Sequence, residues 1–177
     1  LVNALLRQAS GLRLTVLVND FGSVNIDAAL IATASGDTIA LTNGCVCCAV
    51  SDDFAAGLAA ALDRRPAPDH LLIECSGVAD PAAMAAIAQV DPELTLAGVV
   101  VLADATSVAA RLADPLLVDT LRRQLRAAEL LVLTKTDLAG DTAALAAQLR
   151  PLAPRAAMTC ATHGDLPIAV ALGEHAA

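Results

Sequence analysis

Six short apolar runs divide this chain, and they read as nearly continuous rather than alternating. They are LRLTVLVN (12–19), DTIALTN (37–43), HLLIECS (70–76), LAGVVVLAD (96–104), ELLVLTK (129–135) and RAAMTCA (155–161). A strand that is apolar at consecutive positions is buried on both faces, which is the condition of a parallel sheet with helices on each side. The intervening segments fit that picture. DDFAAGLAAALDRR (52–65), DPAAMAAIAQV (80–90), DPLLVDTLRRQLRAA (114–128) and GDTAALAAQLR (140–150) are rich in Ala and Leu at helical spacing. Asp52, Asp80, Asp114 and Asp141 are placed to cap their amino ends, with Pro81 and Pro115 at first helical positions. Strand alternating with helix predicts an α/β, doubly wound, mainly parallel sheet with helices on both faces. The 177 residues suffice for one domain with a real core.

In such sheets ligands bind beyond the carboxyl ends of the strands. The polar residues of this chain collect there: Asn19-Asp20, Asn43-Gly44-Cys45, Glu74-Cys75-Ser76-Gly77, Asp104, Lys135 with Asp137, and Thr162-His163-Gly164. Composition removes some functions. A formal net charge of −8 disfavours nucleic acid and anionic membrane. Two Phe and no Tyr or Trp leave no base-stacking platform for single strands. No apolar run reaches the roughly 18 residues of a membrane span.

Thr134-Lys135-Thr136-Asp137 follows the strand ELLVL, and Lys135 is the only lysine in the chain. Such a Thr-Lys-x-Asp turn reads guanine. The Asp137 carboxylate accepts from the ring N1–H and the exocyclic amine, a donor pair that adenine lacks, while the lysine stem lies along base and ribose. The plain alternative is a surface turn. Glu74-Cys75-Ser76-Gly77 ends HLLI; Glu74 can hold a Mg2+-bound water, and Gly77 lets a backbone N–H approach a terminal phosphate. A strand-terminating turn is the alternative there.

Cys45, Cys47 and Cys48 lie within four positions. Adjacent cysteines cannot easily meet disulfide geometry, and no secretory signal precedes them. A reducing, cytoplasmic compartment is therefore expected, where clustered thiols indicate metal or redox chemistry. Three thiolates suit Zn2+ or Cu(I), and a fourth position falls to Asp20, a histidine, water or a partner. Buried structural cysteines are the alternative, and Cys75 and Cys160, within strands, are expected in the core. His163 lines a base pocket or sits in a solvated loop. His70 is expected to be exposed, His175 to lie in a tail, and Arg122, Arg123 and Arg126 to form the solvated face of a helix.

Taken together, VNDFGSVNID, TNGCVCC, ECSGVADP, TKTDLAG and THGD resemble the CobW family of P-loop GTPases, relatives of the UreG and HypB metallochaperones. TKTD with THGD is similar to the subgroup of zinc-binding GTP hydrolases. The resemblance implies a GTPase that couples GTP binding and hydrolysis to binding and transfer of a divalent metal, usually zinc. Its cofactors would be GTP, Mg2+ and Zn2+. Its partners would be GTP or GDP, the metal and a client metalloprotein, with a homo-oligomer left open. Carried over by residue, Glu74, Gly77 and Asp20 serve catalysis and Mg2+; Thr134, Lys135, Asp137 and His163 hold the base; Cys45, Cys47 and Cys48, with Asp20, ligate the metal. Asp20 stands where the family usually has Glu, and Ser23 where a second Glu is common. Thr134 replaces the commoner Asn.

The family's glycine-rich phosphate loop has no counterpart here: no G-x-x-x-x-G-K-[ST] occurs. LVNALLRQ is similar to the helix that comes after that loop, and the chain stops soon after THGD. Residues 1–177 are thus expected to be a GTPase domain truncated at its N-terminus, an interior segment of a longer protein with negligible hydrolysis of its own. A sheet lacking its first strand is expected to keep an unfilled central slot. A nonenzymatic, thiol-rich zinc-binding module is the second functional reading.

Overall fold

The computed structural model describes residues 1–19, 38–41 and 52–173. They form two compact units, Val2–Ala79 and Asp80–Ala177 with Leu1.

In the N-terminal unit, helix α1 (Val2–Gln8) precedes strand β1 (Leu14–Asn19), followed by β2 (Thr38–Leu41), α2 (Asp52–Leu62) and β3 (His70–Cys75). The sheet order is β2-β1-β3, all parallel. The middle strand is buried from Leu14 to Val18. Val16 and Val18 share one face and pack with Val2 and Leu6 of α1 and with Leu72 of β3. Helix α2 lies against β1 and β2 and buries Phe54, Leu58 and Ala61. The amino end of β1 is tied to the loop that precedes β3. Arg13 donates its backbone N–H to Asp69 Oδ2 (2.9 Å) and its Nε to the Ala67 carbonyl (2.6 Å), and its guanidinium pairs with the Asp69 carboxylate.

The C-terminal unit holds α3 (Pro81–Val90), β4 (Val100–Asp104), α4 (Val108–Ala113), α5 (Val118–Ala127), β5 (Leu130–Thr134), α6 (Thr142–Leu149), β6 (Ala157–Ala161) and the single turn α7 (Ile168–Ala171). Its sheet is β4-β5-β6, again all parallel. β5 is covered on both faces, as a continuous apolar run demands. Leu131 and Leu133 pack with Val101, Leu125, Leu149 and Ala153, while Leu130 and Val132 pack with Ala161 and Leu166. The α/β class read from the sequence is therefore present in each unit. Among the described residues no ladder joins β3 to β4: β3 pairs with β1, and β4 with β5.

Several local expectations are corrected. Double-sided burial holds for β1 and β5 but not for β3, β4 and β6. β3 is half-buried throughout, and Leu102 in β4 is 48% exposed. An outer strand is covered less completely than a middle one, and for the same reason Cys160 of β6 is exposed rather than in the core. Cys75 and His70, at the two ends of β3, are half-buried. Asp80 and Asp141 do cap α3 and α6, accepting from the Ala82 and Ala144 N–H groups (both 2.9 Å), and Pro81 takes the first helical position. Asp114 does not cap α5. It ends α4, a helix the sequence pattern did not reveal, and its Oδ1 accepts from Leu116 N (2.8 Å) in a local turn. That turn holds Pro115, so α5 begins only at Val118. An aspartate before proline favours a turn as readily as a cap, and side-chain bonding two residues ahead decided between them. Arg122, Arg123 and Arg126 are exposed on α5 as expected.

Candidate functional site

Register brings three strand ends side by side. Asp104 of β4 is opposite Thr134 of β5, and Thr134 is opposite Ala161 of β6. The turns after these strands therefore emerge at one edge of the sheet. After Thr134 the chain turns sharply. Lys135 has φ 55°, in the left-handed region that non-glycine residues rarely enter, and Leu138 N–H closes the turn on the Lys135 carbonyl at 3.0 Å. After Ala161 a second tight turn repeats the motif. His163 (φ 54°) and Gly164 (φ 72°) are both left-handed, and Asp165 N–H donates to the Thr162 carbonyl at 3.0 Å. Two successive positive φ values under an i to i+3 bond describe a type I′ turn. Glycine is required at 164 on a second count: a Cβ there would lie 2.6 Å from the Leu1 backbone nitrogen.

The two turns and the end of β4 are bonded to one another. Thr136 Oγ1 lies 3.3 Å from Thr162 Oγ1. Lys135 Nζ donates to Asp104 Oδ2 at 2.7 Å. Asp104 Oδ1 accepts from Thr106 N (2.9 Å) and Thr106 Oγ1 (2.6 Å). Hydrogen bonds from Lys135 first and Thr106 second hold the Asp104 carboxyl well below the usual carboxylate range. The β4–β5 edge is closed further by Ala105 N–H on the Thr134 carbonyl (2.9 Å) and Thr134 Oγ1 on the Ala103 carbonyl (3.4 Å). Asp137 and His163 are exposed beside these anchors. The structure thus brings Thr134, Lys135, Asp137 and His163 into one bonded pair of turns. The sequence pattern marked Asp104 and Thr162 only as strand-end residues and did not mark Thr106. Their signal was position after an apolar run, and their partners lie in other strands.

The carboxyl end of β3 carries Glu74 and, two residues past the strand, Gly77. Glu74 is half-buried, with one carboxylate oxygen fully enclosed. A side chain built on Gly77 would meet no atom within 4 Å. Among the described residues, then, no neighbour demands glycine at 77. Burial, helped by the Glu74 carboxylate, pushes the Cys75 thiol up to about 11. Cys75 is then a neutral thiol near pH 7. Asp20, Cys45, Cys47 and Cys48 lie outside the described residues. Among the described residues, no group of three His, Cys, Asp or Glu side chains is placed to hold a metal ion, and no helix is long and apolar enough to cross a membrane.

Known proteins are similar to this chain in sequence and in fold. The model of the CobW/HypB/UreG nucleotide-binding domain matches residues 1–159. A zinc chaperone CobW from a Sinorhizobium species is 35% identical over 98% of this chain and 58% of its own length. The zinc chaperone YjiA of Escherichia coli is 31% identical, over 95% of this chain and 54% of its own. The zinc-regulated GTPase metalloprotein activator 1 of Schizosaccharomyces pombe is 29% identical over 81% of this chain. The crystal structure of Zn(II)-bound YjiA GTPase from E. coli superposes with a TM-score of 0.63 at 27% identity, covering 93% of this chain and 54% of that one. A Zn(II)-bound triple mutant of that GTPase, with one glutamate and two adjacent cysteines changed to alanine, matches equally well. The chain spans little more than half the length of these first curated relatives.

Proposed function

The chain belongs to the CobW/HypB/UreG nucleotide-binding family, and from that premise we propose that it serves a zinc-handling GTPase, coupling GTP binding and hydrolysis to acquisition and transfer of a divalent metal. The observation that carries the nucleotide half is the turn Thr134-Lys135-Thr136-Asp137 at the carboxyl end of β5. It is held by bonds to both neighbouring strand ends and leaves the Asp137 carboxylate exposed. An exposed carboxylate on a fixed turn accepts two hydrogen bonds in one plane, the pattern that guanine offers. Lys135 supplies an apolar stem for the ring face, and His163 on the facing turn borders the same pocket. Relatives named as GTPases support the assignment.

Glu74 and Gly77 would face the phosphate end. The carboxylate chemistry of Glu74 suits Mg2+, which it would hold through water, and the open side of Gly77 admits a phosphate oxygen. When bound, Mg2+ neutralises charge on the phosphates. Asp20, next after β1 in the sequence, would join them.

Cys45, Cys47 and Cys48 would bind zinc as cargo, with Asp20 or a partner completing four ligands. Support comes from relatives named as zinc chaperones. The zinc would pass to a client metalloprotein in the cytoplasm, and residues 1–177 would make up the GTPase domain.

Two titrations on the full-length protein test the two halves. Asp137→Asn reverses the donor and acceptor pattern, so GTP affinity should fall and xanthosine triphosphate affinity rise. Unchanged GTP preference removes the guanine assignment. Zinc affinity, measured by competition with a chromophoric chelator, should differ about tenfold with and without a nonhydrolysable GTP analogue. Cys47→Ala should abolish that difference. Equal zinc affinity in both nucleotide states leaves a static zinc-binding module instead.

A further inference from the structure

A lysine stem is a poor wall for a binding site unless something holds it, because four rotatable bonds leave the ammonium free to wander. The Lys135 side chain is 57% exposed, yet both of its ends are fixed. The left-handed backbone at 135 sets where the stem starts. The Asp104 carboxylate, 2.7 Å from Nζ, sets where it ends. Asp104 is itself immobilised, since Thr106 occupies Oδ1 with two hydrogen bonds and leaves Oδ2 toward the lysine. The β4–β5 register places that carboxylate beside the residue preceding Lys135. An ion pair this exposed adds little to folding stability, so its consequence is geometric.

We propose that Asp104 is a positioning residue for base binding, whose Thr106-clamped carboxylate holds the Lys135 ammonium and lays the lysine stem along the purine ring. The proposal rests on the guanine reading of the Thr134–Asp137 turn. Asp104 does not touch the nucleotide in this arrangement; it acts through Lys135. The device divides the labour at the site. Asp137, which takes no partner among the described residues, selects the base, whereas Lys135 and Asp104 hold the ring whatever its substituents.

Calorimetric titration of the full-length protein with GDP tests this. Asp104→Asn, which keeps the shape and removes the charge, should weaken GDP about tenfold in the native background and have no effect when added to Lys135→Met. Thr106→Val, which loosens the clamp but keeps the charge, should give a smaller loss that also vanishes without the lysine. It serves as the test if the asparagine variant does not fold. A loss that persists in the Lys135→Met background marks a merely structural role and overturns the proposal, as does unchanged GDP affinity in the folded Asp104 variant. Asp137→Asn is run in parallel. If it inverts the preference between GDP and xanthosine diphosphate while Asp104→Asn is silent, only the present proposal falls. If it leaves the preference intact, the guanine reading itself falls.

Discussion

β1 and β5 are both middle strands of parallel three-stranded sheets, buried from Leu14 to Val18 and from Leu130 to Leu133. They differ in what they lead to. β5 packs two leucines into one broad cluster and a leucine and a valine into another, drawing on α4, α5, α6 and the chain after β6. β1 sets two valines against α1 and β3. β5 leads directly into a turn whose side chains are bonded to strand ends on either side, while the chemistry-bearing residues after β1 and β2, Asp20 and Cys45 to Cys48, lie outside the described residues. The contrast separates two kinds of signal. The turn after β5 owes its form to backbone geometry and neighbouring strands. The thiol cluster is identified by residue type, since three adjacent sulfurs are unusual wherever they stand.

The largest expected effect tests whether the two middle strands are equivalent. Leu17→Ala and Leu131→Ala each remove a fully buried side chain and should each cost about 2–5 kcal/mol in urea unfolding. A cost below about 1 kcal/mol at either position would show that its sheet tolerates the cavity and that the likeness is superficial.

The strand cysteines give a second contrast. Cys160 is exposed on β6, whereas Cys75 is half-buried on β3 and pushed up to about 11. At pH 8 only about one Cys75 thiol in a thousand is thiolate, so iodoacetamide should label Cys160 at least tenfold faster. Mass spectrometry of peptides over time reads the ratio, and equal rates would place Cys75 in contact with solvent. A thiol whose folded value is raised favours the fold below its ordinary value of 9.0, and that contribution is lost as pH rises towards about 11. Cys75→Ala should therefore flatten the stability profile on the alkaline side, with Cys160→Ala as the control.

Smaller effects are expected from the caps. Asp80→Ala and Asp141→Ala each remove an acceptor from a helix N-terminus and should cost about 1 kcal/mol. Asp114→Ala removes a turn bond instead and should cost less. Equal losses at all three would mean that the turn before α5 works as a cap after all.

The smallest effect lies at Asp104. Because its carboxyl is held low, its stabilising contribution is present above the ordinary value of 3.8 and lost as pH falls below it. Asp104→Asn should change neutral stability by less than about 1 kcal/mol, as exposed pairs do. The difference from the native protein should vanish in acid. A larger loss at neutral pH would make the Lys135–Asp104 pair a fold determinant rather than a positioning device.

The sequence by itself determined the six strands, the larger helices, the parallel class, the turn after β5 and the family. Each of these is written in local pattern. Consecutive apolar residues mark a buried strand, Asp80-Pro81 marks a helix start, and Thr-Lys-x-Asp is readable as four letters. Tertiary structure alone decided which strands became middle and which outer. That set the exposure of Leu102 and Cys160. It also decided the anchoring of the turn after β5. Lys135 meets Asp104 across 31 positions and Thr136 meets Thr162 across 26, both through strand register. Local periodicity shows which face of a strand is buried but not which strand lies beside it, because pairing is chosen by the packing of distant side chains.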